Sequence, residues 1–164
     1  LEGYRGPTGC CIMSHEFYET DRARGFVRGY SFEILRGFGP LSTAMWGMQW
    51  GLVTPGADHH RGYGELFDRT AGMVVICEDL PEPDNRVTLD PELKDADGIP
   101  APRIAYRMSE NSTRMMEHAV ARGQEVLTAA GAKATYVQAP LPFAGWHLMG
   151  TARMGTDPET SVVN

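Results

Sequence analysis

A long amphipathic helix that follows a series of strand-like segments limits the fold of this chain more than any other feature. Asn111 or Ser112 can cap its start, and Gly131 stands where a left-handed residue commonly ends a helix. Between these points apolar residues recur at intervals of three and four positions, at Met115, Met116, Ala119, Val120, Val126, Leu127 and Ala130. Such spacing forms one apolar stripe, which is stable only when another element covers it. We therefore expect this helix to lie on a sheet.

The segments that can form this sheet show strand patterns. We predict strands over residues 26–35, 72–77, 85–89, 103–108 and 134–139. Residues 72–77 are apolar throughout, which is typical of a strand covered on both faces, and 85–89 follow closely enough to form a hairpin with them. Short helices are predicted over 41–53 and over 59–70, the second capped by Asp58. These elements favour an α+β fold in which helices cover one face of a mostly antiparallel sheet.

Charge, hydropathy and cysteine usage exclude several classes of protein. The 164 residues carry a net charge of −6 without a basic stretch, so we expect no binding of nucleic acid. No apolar run approaches the roughly 20 residues that span a bilayer, so we expect no membrane span. The three cysteines, Cys10, Cys11 and Cys77, lack a Cys-x-x-Cys spacing, which disfavours a disulfide scaffold and indicates a reducing, cytoplasmic setting.

Several common catalytic and nucleotide-binding motifs are missing from the sequence. It contains no Walker A motif, no Gly-x-Ser-x-Gly elbow and no His-Glu-x-x-His. Residues 37–39 and 62–64 each read Gly-x-Gly, as at the start of a dinucleotide fingerprint, but the third glycine is absent. We therefore expect that these residues by themselves do not bind a dinucleotide in the usual way.

One histidine differs from the others in its surroundings. Four lie among polar or charged residues, and we predict surface positions and no metal for them: His15, His59, His60 and His118. His147 lies within residues 145–155, an apolar stretch with three glycines. Burial there would keep the imidazole neutral near pH 7 and able to accept a proton, and glycines allow a flat ligand to approach the backbone. A buried histidine with a purely structural role is the alternative.

The sequence around His147 resembles a known family. Residues 146–164, WHLMGTARMGTDPETSVVN, are similar to the C-terminal signature of the glucose–methanol–choline (GMC) oxidoreductases. In that signature a His is followed, after two intervening residues, by Gly-Thr and then by Arg-Met-Gly. Upstream, CEDLPEPDNRVTLDP at residues 77–91, the turn at 97–100 and the helix ending near Gly131 occur in the order found in sugar- and polyol-oxidising members.

The resemblance implies an FAD-dependent enzyme that removes hydride from a carbon bearing a hydroxyl group. His147 matches the family histidine that acts as acid–base partner of that hydroxyl. Gly150 and Thr151 match the backbone segment close to the flavin ring, and Trp146 is expected either to wall the substrate pocket or to pack in the core. Arg153 is expected to pair with Asp157 rather than to stabilise charge on the reduced flavin.

Two departures from the family pattern shape the expected domain organisation. The Gly-x-Gly-x-x-Gly of the family is missing, and its second catalytic His or Asn would lie past Asn164. We therefore expect residues 1–144 to form a substrate-binding domain and 145–164 to begin the return to an FAD domain. Because the sequence starts at Leu1, we expect an excised segment, inactive alone, whose partner is the rest of the FAD-binding chain.

Two other classes of function fit the same sequence. One is an α+β module that binds a sugar or sterol without chemistry, through a cleft lined by methionines and by Trp46, Trp50 and Trp146. The other is an interaction subunit that packs on a partner carrying the flavin site.

Overall fold

The computed structural model describes residues 12–35, 37–141, 144–147, 149–150 and 152–164. Five strands are β1 Ile12–Ser14, β2 Tyr30–Leu35, β3 Gly72–Cys77, β4 Arg86–Lys94 and β5 Pro100–Ala105. Three α-helices are α1 Pro40–Gln49, α2 His59–Leu66 and α3 Glu110–Ala129, and a 3-10 turn spans Arg22–Arg24. These helices and two antiparallel sheets confirm the predicted α+β class.

The described residues divide into two compact units. The first contains the described residues up to Glu78 together with Arg114–Ala139, and the second contains Asp79–Thr113 and the described residues from Pro140 to Asn164. The proposed functional boundary between residues 144 and 145 stays a prediction. Among the described residues, none of the helices is both long enough and apolar enough to cross a membrane.

The first unit is organised around a three-stranded sheet with the order β1-β2-β3, antiparallel throughout. Alternate side chains of β2 point to one face, where Tyr30 and Phe32 are buried. Met115 and Ala119 of α3 are fully buried in the same cluster, so the predicted apolar stripe of the helix does cover the sheet. Gly123 brings the backbone of α3 close, since a Cβ there would stand 3.2 Å from the sulfur of Met73.

The two ends of α3 are fixed by local hydrogen bonds. Ser109 caps the start, because its Oγ accepts the backbone N–H of Ser112 at 3.1 Å. The predicted cap at Asn111 or Ser112 was therefore too late, and the Ser112 hydroxyl instead donates to the Asp79 carboxylate. Gly131 ends the helix as predicted, with φ +94°. Its N–H and that of the next residue bond back to carbonyls of the last turn at 2.9 and 3.0 Å, a Schellman arrangement.

The pairing of β3 differs from the sequence prediction in two respects. Its partner is β2, in a register from Tyr30 opposite Cys77 to Leu35 opposite Gly72, and not the segment 85–89. The predicted hairpin is wrong because 85–89 pairs instead with the strand that follows it. Within the described residues only one face of β3 is covered, and Val74 and Ile76 on the other face are 36% and 46% exposed.

Residues 134–139, which we predicted as a strand, are irregular in the structure. Their side chains pack in place of backbone pairing. Tyr136 stacks on Trp50 with ring centroids 5.2 Å apart, and Gln138 accepts a hydrogen bond from Gln49 at 2.6 Å. Alternating apolar residues therefore reflect contacts of single side chains here, and no ladder is formed.

In the second unit β4 and β5 form a two-stranded antiparallel sheet. This confirms strands near 85–89 and 103–108, although β5 begins at Pro100 and ends at Ala105. The register places Val87 opposite Ile104 and Leu89 opposite Pro102, and becomes irregular beyond Leu89.

The two short helices were predicted with partly correct limits. α1 lies within the predicted range except for its first residue, Pro40, whereas α2 ends at Leu66, before the predicted limit at 70. Asp58 precedes α2 without a side-chain cap bond and pairs with Arg61 at 3.2 Å instead. A glycine is required at position 47 of α1, because a Cβ there would stand 2.5 Å from the side chain of Val53.

The buried position of Met115 predicts a large loss of stability on truncation. Met115→Ala leaves a cavity between α3 and the sheet and should lower the free energy of unfolding by about 2–5 kcal/mol. Met45→Ala is the matched control, because Met45 is also helical but 56% exposed, and it should change stability by less than about 0.5 kcal/mol. Urea unfolding of both variants measures the difference, and equal effects would contradict this packing.

Candidate functional site

The C-terminal signature lies in the second unit, and its described residues are exposed apart from the half-buried Ser161. His147 is in an irregular segment with its side chain open to solvent, and Trp146 is 72% exposed. Gly150 has φ +94°, a conformation that favours glycine, and a Cβ there would meet nothing within 4 Å. Thr151, the other predicted cofactor contact, lies outside the described residues.

The predicted burial of His147 is therefore wrong for the chain as described. Its described apolar neighbours in sequence, Trp146 and Met149, do not cover it, because they expose 72% and 91% of their own surface. Apolar residues near one another in sequence exclude water only when another element packs over them. What the structure presents is an exposed surface of tryptophan, imidazole, methionine and an unhindered glycine.

The segment after Gly150 closes on itself through backbone bonds. The N–H of Gly155 donates to the carbonyl of Val163 at 2.9 Å, and the N–H of Val162 donates to the carbonyl of Arg153 at 2.8 Å. Asp157 stabilises the turn between these residues, accepting the backbone N–H of Glu159 at 3.0 Å and a hydroxyl at 3.1 Å. The expected pairing of Asp157 with Arg153 is wrong, since the carboxylate is used within its own turn.

Two of the tryptophans proposed for a binding cleft contact each other. Trp46 and Trp50 stack on each other with centroids 5.6 Å apart, and Trp50 also stacks on Tyr136. The Nε1 of Trp50 is buried without a partner among the described residues. Trp146 belongs to the second unit. Trp50, on which a sugar would need to stack, is thus already in stacking contact with two other rings.

The first unit carries an open groove of about 310 Å³ along α3. Its lining is mainly apolar, from Met116, Val120, Ala121, Val137 and Ala139, with Glu117 and Gln124 as the polar members. Its volume is at the lower limit for small-molecule sites. None of the residues predicted for the site lines it.

His118 is the histidine that the sequence analysis misplaced. We predicted a surface position, but the Tyr30 hydroxyl and His118 Nδ1 share a hydrogen bond of 2.8 Å, and the rings of Phe17 and Phe26 lie edge-on to the imidazole. Burial lowers the pKa of His118 and raises the pKa of Tyr30 to about 12. The two residues are 88 positions apart, and no local pattern indicates their contact.

A second polar group missed by the sequence analysis centres on Asp79. Its carboxylate accepts the hydroxyl of Tyr106 at 2.7 Å and that of Ser112 at 2.5 Å. Burial and this bond raise the pKa of Tyr106 to about 12. The group joins residues around the two-stranded sheet to the start of α3 within the second unit. In the ranges that the structure describes, no three His, Cys, Asp or Glu side chains are grouped as a metal site.

Comparison with known proteins places residues 81–164 in a family described as GMC oxidoreductase. The whole chain is 43% identical to 2-methyl-1,2-propanediol dehydrogenase of Mycolicibacterium austroafricanum, of which it covers 30%. It is also 34% identical, over 61% of its length, to the fructose dehydrogenase large subunit of Gluconobacter japonicus, covering 19% of that protein. Paromamine 6'-oxidase of Streptomyces fradiae is 36% identical over 55% of the chain, which covers 17% of it. The chain thus spans less than a third of the length of these relatives.

The environment of His118 predicts a loss of stability as the pH falls. Burial is the main cause of its lowered pKa, followed by repulsion from Arg122 and Arg24, while Glu125 acts in the opposite direction. The unfolded chain, with the ordinary value of 6.5, binds the proton more readily. The free energy of unfolding should therefore be highest above this value and fall below it as the folded-state pKa is approached.

Urea unfolding between about pH 5 and pH 8 measures this dependence. His118→Gln should flatten it, whereas His60→Gln, at an exposed position, should leave it unchanged. An unchanged pH dependence in His118→Gln would show that His118 titrates alike in both states.

Proposed function

The chain belongs to the GMC oxidoreductase family, and we propose that it forms the substrate side of a flavin-dependent enzyme that oxidises the CH–OH group of a sugar, polyol or other alcohol. The observation that carries the proposal is the family match over 81–164, which includes the His147 signature. The named relatives support the reaction class, since they are dehydrogenases of a diol and of fructose and an oxidase of paromamine.

The exposed surface around His147 fits the reactive part of a flavin. A flat, mainly apolar ring needs an apolar surface and close backbone approach, and Trp146 and Gly150 offer both. The Gly-x-Gly-x-x-Gly motif that usually binds the dinucleotide part of FAD is absent from these residues. We therefore propose that this chain contacts the reactive edge of the flavin ring and the substrate. Protein outside the 164 residues would make most of the other contacts with FAD.

His147 would accept the proton of the substrate hydroxyl group. The flavin, when bound, accepts the hydride equivalent from the carbinol carbon. Loss of hydride makes the hydroxyl strongly acidic, and a neutral imidazole within hydrogen-bond reach accepts that proton. Packing against the flavin-binding region would also cover Trp146 and exclude water from the imidazole, which the described chain does not do alone.

A binding module without chemistry is the competing function. The stacking of Trp46 on Trp50 disfavours the cleft that it requires, because those ring faces are already in contact. The apolar groove along α3 contains neither tryptophan nor His147. A non-catalytic interaction subunit would use the same exposed surface as the enzyme. The two hypotheses are therefore distinguished by whether His147 takes part in the reaction.

The proposed role of His147 predicts a specific kinetic defect. In the flavin-loaded enzyme, His147→Ala should lower the rate of flavin reduction by a polyol by about 10²–10⁴-fold, because the alcohol proton loses its acceptor. Stopped-flow absorbance of the flavin measures this rate. His60→Ala is the matched control, since His60 is exposed and lies in the other unit. Flavin reduction at the wild-type rate in His147→Ala would rule out His147 as the proton acceptor. Failure of the wild-type protein to bind flavin would rule out the proposed flavin enzyme.

A further inference from the structure

The β4–β5 sheet has an unusual amount of exposed apolar surface. Val87, Leu89, Pro102 and Ile104 share one face, because cross-strand partners lie on the same side of a sheet. Val87, Leu89 and Ile104 are 47%, 70% and 73% exposed. A two-stranded sheet is at best marginally stable in water, and contiguous exposed apolar residues indicate an interaction surface.

The two edges of this sheet differ in their ability to pair. Pro102 lies opposite Leu89 and has no N–H to give to β4, so its nitrogen belongs on the outer edge. Pro100, two residues earlier, has the same orientation. Two prolines on the outer edge of β5 remove two of the three donors that a further strand would need there, and only the N–H of Ile104 is left.

The outer edge of β4 keeps its donors at Val87 and Leu89 and loses the next one at Pro91, two residues after Leu89. Since Leu89 is opposite Pro102, the N–H and C=O groups of Val87 and Leu89 point away from β5. No third strand lies beside β4 in the part of the chain that the structure describes. This edge therefore presents regularly spaced, unpaired backbone groups next to an exposed apolar face.

The sequence of this edge is complementary to itself. Residues 86–90 read Arg-Val-Thr-Leu-Asp. When two copies run antiparallel about Thr88, Arg86 of each stands opposite Asp90 of the other, and Val87 stands opposite Leu89. Asp90 Oδ1 accepts the backbone N–H groups of Glu92 and Leu93, and these two bonds leave Oδ2 unused. The charge of Arg103 in the same chain already acts on this carboxylate, and Arg86 of a second copy would add to it.

We propose that β4 pairs antiparallel with β4 of a second copy of this chain, about a two-fold axis at Thr88, to form a four-stranded sheet. The symmetry is that of an isologous interface, in which each contact occurs twice. The opposed charges of Arg86 and Asp90 select this register over a shifted one and select a second copy over an unrelated edge. Val87 and Leu89 extend the apolar face across the axis.

The expected association is weak and depends on concentration. Five paired residues bury much less than the roughly 1,000 Å² of a stable interface, and exposed ion pairs contribute little. The backbone bonds exchanged between Val87 and Leu89 require an antiparallel neighbour, and the charges of Arg86 and Asp90 then select its register and identity. The inference rests on the edge of β4 and not on the proposed oxidation of alcohols.

A single cysteine on the axis tests both the contact and its register. In the proposed pairing Thr88 faces itself as a non-hydrogen-bonded pair, with Cα atoms about 4.5 Å apart, within the range of a disulfide. Thr88→Cys in the purified protein, with the three native cysteines replaced, should form covalent dimers under mild oxidation. Val87→Cys is the matched control, because its copies would be about 8 Å or more apart and should not cross-link efficiently.

A charge reversal tests the selection of the partner. Arg86→Glu places like charges opposite each other and should weaken dimerisation roughly tenfold or more in sedimentation equilibrium. Arg107→Glu makes the same change in net charge beyond the end of β5 and should leave it nearly unchanged. A protein that stays monomeric at all concentrations, with no preference for cross-linking at position 88 over 87, would overturn the proposal and assign the edge to another partner.

Discussion

The contact of α3 with β2 is the interaction on which the first unit depends. Met115 and Ala119 are fully buried against Tyr30 and Phe32, and they join two segments that are more than 80 residues apart in sequence. Their burial removes apolar surface from water, which is the main favourable term in folding. The hydrogen bond between Tyr30 and His118 lies in the same contact, so the unit combines its strongest apolar packing with a group that responds to pH.

The helices and strands could be predicted from the sequence better than the pairing between them. The period of three and four residues predicted α3, and Gly131 predicted its end, because both follow from short-range geometry. The pairing of β3 with β2 could not be derived in this way, since antiparallel partners are chosen by packing across many residues. The same limit applies to residues 134–139, where the alternation is real but the side chains contact Trp50 and Gln49 in place of a strand.

For the candidate site, too, the sequence indicated which residues to consider but not what surrounds them in the structure. The motif predicted that His147 and Gly150 matter, and both lie within the family match over 81–164, but their roles stay a prediction. The apolar neighbours of His147 in sequence wrongly predicted its burial, because Trp146 and Met149 themselves face solvent in the described chain. Cover for an imidazole must come from an element packed over it. The exposed signature and the open edge of β4 both belong to the second unit, and we propose a different partner for each.

The proton acceptor at the alcohol is the point on which the proposed chemistry depends most. A crystal structure of the flavin-loaded enzyme with a bound alcohol or an unreactive analogue tests it directly. We expect an imidazole nitrogen of His147 at about 2.6–3.2 Å from the alcohol oxygen, on the side of the flavin that receives the hydride. A structure in which His147 still faces bulk water, while another side chain contacts that oxygen, would contradict the proposed role.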